Sequence, residues 1–176
     1  MPVMAAPGRM IRGYAATFDS PSSDLGGYIE IVRAGAFADV LAGRPDVRAL
    51  VNHDPNLVLG RTTAGTLRLA QDGRGLAVEI DIPDTSYAAD LVASMARGDI
   101  GQMSFQFTAG RDRWTQPEGR SRLLTRELLQ VQRLYDVSIV TFPAYTATTA
   151  ALRCRSTGRH RPALGLKRRK LALWSA

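Results

Sequence analysis

Apolar residues in this chain recur with a period of two, in short runs separated by turn-forming clusters. The clearest run is 76–82, where Leu76, Val78, Ile80 and Ile82 alternate with Ala77, Glu79 and Asp81. A strand with one buried face carries this pattern. Asp72-Gly73-Arg74-Gly75 joins it to a run at 66–71 as a hairpin. Similar runs lie at 9–18, 28–32, 47–51, 58–63, 101–108, 123–131 and 134–142. Only two stretches carry a helical pattern. One is 35–42, ended by Gly43. The other is 84–97, with Asp84 or Ser86 able to cap its start and Gly98 its end. Its apolar stripe of Tyr87, Leu91, Met95 and Val92 reads as core packing. Residues 110–120 read as a polar loop or hairpin tip, and 144–153 as a terminal helix or an extended arm. Strands and helices do not alternate, so a doubly wound sheet is not expected. The expected fold is mainly β (α+β): a closed or partly closed antiparallel β-barrel of about seven strands with flanking helices.

The 176 residues suit one core plus a tail. The net charge of +7 belongs to the tail. From Arg153 onward there are eight basic residues and no acidic ones, and 23 minus those eight leaves 15 basic against 16 acidic residues in the body. The expected division is a domain at 1–152 and a basic tail at 153–176, where any contact with a polyanion would be made. No apolar run is long enough to cross a bilayer. The first ten residues do not read as a signal peptide, so the expected location is the cytoplasm. One cysteine, Cys154, excludes an internal disulfide, and with His53 and His160 it makes no zinc ligand set. No metal or cofactor is expected. The phosphate-cradling GxxxxGK pattern and a GxGxxG after a strand are absent.

Three residues stand out chemically. His53 ends a strand in Val-Asn-His-Asp-Pro, either as a plain turn residue or as a base held on a rigid strand end. Ser104 lies mid-strand between Met103 and Phe105, either as a polar-face residue or as a nucleophile. It is not in a GxSxG elbow, so an α/β-hydrolase is excluded. A serine needs an adjacent base, and His53 would serve if the fold brings the two within about 2.6–3.2 Å. Asp136 is a carboxylate inside an otherwise apolar strand, either facing water on an edge or orienting the imidazole. Asp54 is a weaker candidate, because neighbours on an extended segment point opposite ways. A Cys154–His160 thiol pair would lack a rigid framework.

With these residues in place, the chain resembles the prohead (procapsid maturation) serine proteases of HK97-type tailed phages, a family related in fold to herpesvirus assemblin. The resemblance covers roughly 9–152. It rests on Gly13-Tyr14-Ala15, Gly35-Ala36-Phe37, Asn52-His53-Asp54, Leu59-Gly60-Arg61, Met103-Ser104-Phe105 and the run from Asp136 to Tyr145, in that order. It implies a herpesvirus-protease-like fold and a catalytic His53–Ser104 pair. Asp136 is the expected third member, with His160 as the alternative, since assemblins use a second histidine there. An oxyanion hole is implied near residues 141–145. The implied substrates are the scaffold portion of the immature capsid and the protease itself, cleaved inside assembling procapsids in the bacterial host. The implied partners are the major capsid protein and its scaffold. Assemblins act as dimers, so a homodimer or higher homo-oligomer stays open. No membrane partner is implied, and nucleic acid is expected only non-specifically at the tail. A rival reading is a non-catalytic procapsid component, which the presence of His53, Ser104 and Asp136 opposes. A β-barrel nucleic-acid binder would interleave basic and aromatic residues on one sheet face, which is not seen.

Overall fold

The computed structural model describes residues 9–116 and 123–154. Nine strands and two helices form among them: β1 (Arg9–Thr17), β2 (Tyr28–Val32), α1 (Ala38–Ala42), β3 (Arg48–Val51), β4 (Asp54–Arg61), β5 (Leu67–Gln71), β6 (Gly75–Asp81), α2 (Ser86–Arg97), β7 (Gln102–Thr115), β8 (Leu124–Val140) and β9 (Thr149–Cys154). They pair as two sheets. One has the order β5-β6-β1-β9, the other β2-β8-β3-β4 with β7 on the far side of β8. The mainly β expectation holds. The barrel does not follow from the pairing, because hydrogen bonding closes neither sheet into a ring. Nor is the pairing wholly antiparallel, since β2 and β3 both run parallel to β8.

The alternation in 75–81 emerges as expected. Leu76, Val78 and Ile80 are buried, while Glu79 and Asp81 on the other face pair with Arg12 and Arg68. Asp72 shapes the β5–β6 turn by accepting the N–H groups of Arg74 and Gly75 at 2.7 and 3.0 Å. β1 sits between β6 and β9, and its approach to β9 requires glycine at position 13. A Cβ there would lie 1.8 Å from the Thr149 carbonyl oxygen.

β8 is the spine of the second sheet. β2 pairs with its first half (Tyr28 opposite Leu124) and β3 with its second (Arg48 opposite Asp136), while β7 runs antiparallel along its whole length. The sequence pattern suggested two strands here, split at Gln132-Arg133. The ladder instead shifts register between Gln106 and Phe107, opposite Asp136 and Leu134, with Tyr135 as the extra residue, and again between Thr108 and Ala109, opposite Arg133 and Val131, with Gln132 as the extra residue. Such a bulge resets the in–out alternation without breaking the strand, so Gln132, Arg133 and Tyr135 all reach solvent. Likewise β7 runs on to Thr115, so of the two expectations for 110–120, loop or hairpin tip, the long β7–β8 hairpin fits the second. Residues 144–153 resolve as an arm leading into β9, whose backbone runs to Cys154, two residues past the expected domain boundary. The remainder of the basic tail lies outside the described residues.

One core joins the two sheets and helices. It includes Ile11, Leu76 and Ile80 from the first sheet, Ala49, Met103, Val137 and Ile139 from the second, and Phe37, Ala88 and Leu91. Tyr87 and Met95 of α2 pack on it as their spacing predicts. Helix α2 starts at Thr85 in extended backbone, with no side-chain cap from Asp84 or Ser86, and ends at Gly98 in the left-handed region, as expected. Phe105 gathers an aromatic group, with ring centroids 5.4 Å from Phe37, 4.9 Å from Phe107 and 5.8 Å from Tyr145.

Candidate active site

Because Met103 and Phe105 face the core, Ser104 and Gln106 between them face the other way. Their partners on β8 share that face: Ser138 stands opposite Ser104, and Asp136 opposite Gln106. On the other flank of β8, β3 aligns Leu50 with Ser138. Two residues further on, β3 turns into β4 through Asn52 and His53 alone, with Val51 opposite Asp54. Both turn residues have positive φ, 49° and 58°. A two-residue hairpin turn of this hand matches the twist of the strands, but it strains any residue other than glycine. Asn and His are among the residues that tolerate it best.

The turn is fastened to the end of β8. The Asn52 N–H donates to the Ile139 carbonyl at 2.9 Å, and Asn52 Oδ1 accepts the Thr141 N–H at 2.9 Å. The His53 N–H donates to Ser138 Oγ at 3.2 Å. Thus held, the imidazole lies back over β8, and its Nδ1 is 2.6 Å from Asp136 Oδ1. Asp136 is buried, at 3% exposure, and the same oxygen accepts the Ser138 hydroxyl at 2.7 Å. The imidazole is about one-third exposed. A carboxylate in this position accepts a hydrogen bond from Nδ1–H and leaves Nε2 as the basic nitrogen.

Ser104 is half-buried, and its hydroxyl has no hydrogen-bond partner among the described residues. Paired Cβ atoms across an antiparallel ladder are roughly 4.5–5.5 Å apart, which puts Ser104 one strand from the Asp136–His53 pair. The structure therefore brings His53 and Asp136 into contact and places Ser104 on the same sheet face, without a hydrogen bond between Ser104 and His53. Asp54 turns away to accept the backbone and side-chain N–H groups of Asn56, both at 2.9 Å. His160 lies outside the described residues, as does the side chain of Cys154.

The profile of the caudovirus prohead serine proteases matches residues 3–161, a span that takes in both sheets and this whole cluster. The chain belongs to that family. It is 34% identical over 139 residues to the prohead protease of Enterobacteria phage HK97, covering 77% of this chain and 56% of that protein. The chain thus spans little more than half the length of that curated relative. Among solved structures it is similar to KSHV protease in complex with a hexapeptide phosphonate inhibitor, with a TM-score of 0.47, 11% identity, 82% of this chain covered and 64% of the other.

The surroundings of Ser104 are built with care in this family member. Thr148 brackets the preceding residue: its Oγ1 donates to the Met103 carbonyl at 2.7 Å and accepts the Met103 N–H at 3.2 Å. Tyr145 stacks on Phe105 and donates its hydroxyl to buried Glu30, which Arg126 pairs at 3.0 Å. Burial, and then the Glu30 charge, push the Tyr145 hydroxyl far up, so it stays a donor. The segment expected to hold the oxyanion has few free donors. Thr141 already gives its N–H to Asn52, and Pro143 has none. That leaves Phe142, Ala144 and Tyr145 within 141–145. Phe142 is 92% exposed.

Ser138 and Asn52 are the members of this cluster not expected from the sequence. The Asp-x-Ser spacing at 136 and 138 was the available signal, because residues two apart on a strand share a face. A cavity of about 440 Å³ beside Leu41, Pro45 and Leu67 is lined by none of His53, Ser104, Asp136 and Ser138.

Proposed function

We propose that the chain is a serine endopeptidase that cleaves the scaffold portion of the immature phage capsid, and itself, during procapsid maturation in the bacterial host. Ser104 is the nucleophile, His53 the general base and acid, and Asp136 the group that orients His53. The contact that carries this reading is His53 Nδ1 to Asp136 Oδ1 at 2.6 Å, on the sheet face that also holds Ser104. Family membership supports it.

Ser104 Oγ attacks the scissile carbonyl carbon while its proton passes to His53 Nε2. Asp136 offsets the imidazolium charge. Backbone N–H groups hold the oxyanion. Collapse breaks the C–N bond, and His53 returns the proton to the leaving amine. Water, deprotonated by His53, then releases the acyl group from Ser104. The partners in this reading are the major capsid protein with its scaffold and a second copy of the protease.

Intact-mass analysis tests it, with wild type and Ser104→Ala each co-expressed with the neighbouring capsid protein. Truncated capsid protein or self-cleaved protease in the wild type alone is the expected result. Identical masses in cells where shells assemble would refute it and favour a non-catalytic procapsid component.

A further inference from the structure

Ser138 faces Ser104 across the β7–β8 ladder, yet the two hydroxyls stand in different situations. Ser104 is half-buried and its hydroxyl unpartnered among the described residues. Ser138 is fully buried, and both capacities of its hydroxyl are in use. It donates its proton to Asp136 Oδ1 at 2.7 Å and accepts the backbone N–H of His53 at 3.2 Å. A hydroxyl whose proton is held by a carboxylate, and which no substrate can reach, is not placed to attack a carbonyl. It is placed to join two groups that must keep their distance: the strained backbone of His53, at φ 58°, and the carboxylate that grips the His53 ring.

We propose that Ser138 is a positioning residue, whose hydroxyl ties the His53 backbone to the Asp136 carboxylate so that turn and imidazole are held as one unit. Resting on the protease reading above, it adds a fourth residue to that site. Without the hydroxyl, the ring keeps one anchor on Asp136, while the left-handed backbone beneath it loses the bond nearest the side chain. The imidazole then samples orientations that do not face Ser104, so the rate of attack falls while substrate contacts stay.

The full chain is tested with an alkyl fluorophosphonate, which forms an O–P bond at an activated serine, expels fluoride and leaves the serine proton on the base. Labelling rates of wild type, Ser138→Ala, Asp136→Asn and the double variant are compared, with Ser104→Ala as the blank. Ser138→Ala is expected to label roughly ten- to a hundredfold more slowly, the worth of one hydrogen bond to a charged group. Acting through Asp136 and His53, its loss should add nothing to Asp136→Asn in the double variant. Ser138→Thr, which keeps the hydroxyl, should recover most of the rate.

A wild-type rate in Ser138→Ala overturns the proposal and leaves the protease reading standing. So does full additivity with Asp136→Asn, which marks a general effect on the fold. Labelling of Ser104→Ala that disappears in Ser138→Ala would make Ser138 the nucleophile and overturn both readings. Amide hydrogen exchange decides the tie without any probe. The His53 amide should exchange at least tenfold faster in Ser138→Ala, or in the nearly isosteric Ser138→Cys should the alanine variant unfold, with the β7–β8 ladder unchanged. Unchanged exchange at His53 overturns the proposal even if no variant labels.

Discussion

Gly13→Ala tests how the first sheet supports the site in the second. The added Cβ would sit 1.8 Å from the Thr149 oxygen, where real contacts do not fall below 3.0 Å. The neighbouring atom is backbone, which cannot swing aside, so β9 must retreat by at least about 1.2 Å. Strands pair at roughly 4.8 Å, and a shift of that size breaks the hydrogen bonds around Thr149 and Ala150. Two or three backbone bonds at about 1 kcal/mol each give ~2–3 kcal/mol, in line with the usual cost of overpacking. For a chain of this size the thermal midpoint should fall by roughly 5–10 °C. Activity should fall further than stability alone explains, because Thr148, which brackets Met103 beside Ser104, immediately precedes β9. Gly73→Ala is the control, since nothing lies within 4 Å of a Cβ there. Thermal unfolding by circular dichroism and fluorophosphonate labelling at a temperature where all variants are folded give the two readouts. A Gly13→Ala midpoint equal to that of Gly73→Ala would refute the close approach of β1 and β9. A lowered midpoint with wild-type labelling would refute the link from β9 to Ser104.

Two further outcomes follow from single contacts. Asp136→Asn should keep the fold while lowering cleavage by about 10³–10⁴-fold, because an amide can present N–H to Nδ1 and so reverse the imidazole tautomer; wild-type turnover would remove Asp136 from the site. Asp46 is held down at about 2, first by its paired bonds to Arg61 and then by the Arg48 charge. A carboxylate lowered in the folded state stabilises above its ordinary value near 3.8 and loses that contribution as pH falls through about 2. The stability gap between wild type and Asp46→Asn should therefore be constant above about pH 4 and close between about pH 4 and 2. Urea midpoints across that range measure it, and a gap unchanged at pH 2 would show that the Arg61 bonds do not hold Asp46.

The parts of the fold legible in the sequence were those set by neighbours along the chain. Alternation at 76–82, the Asp72 turn and the Gly98 cap each depend on a few residues, and each forms as read. What stayed hidden depends on distant partners. Nothing local says that β2 and β3 lie parallel to two halves of one long strand, or that Gln132 is a bulge that lets it and Arg133 both face water without ending β8. Glycine at position 13 is visible as a letter, but its reason, the Thr149 carbonyl, is contributed from the far end of the domain. The site follows the same rule. Asp136 was conspicuous as a carboxylate among apolar residues, and His53 as a histidine at a strand end. Ser138 looked like filler in a run of small and β-branched residues, because one of its two partners, the His53 N–H, is brought to it only by the register of β8 against β3.

The strain at Asn52 and His53 links stability to the candidate chemistry. Two consecutive residues at positive φ invite glycine, and Gly-Gly or Asn-Gly would fit the turn at less cost. Each non-glycine residue there costs on the order of 1 kcal/mol or more. At position 53 glycine would remove the imidazole. At position 52 it would remove the amide oxygen that accepts the Thr141 N–H and so fixes where the chain leaves β8 toward Phe142. The hydrogen bonds from this turn to Ser138, Ile139 and Thr141 offset the strain, at about 1 kcal/mol apiece. A longer loop would relieve it entirely, yet would let the ring drift from Asp136. The tight turn is thus the shortest route that returns the chain and still sets an imidazole over β8, and strain kept at this position is what the proposed role of His53 calls for.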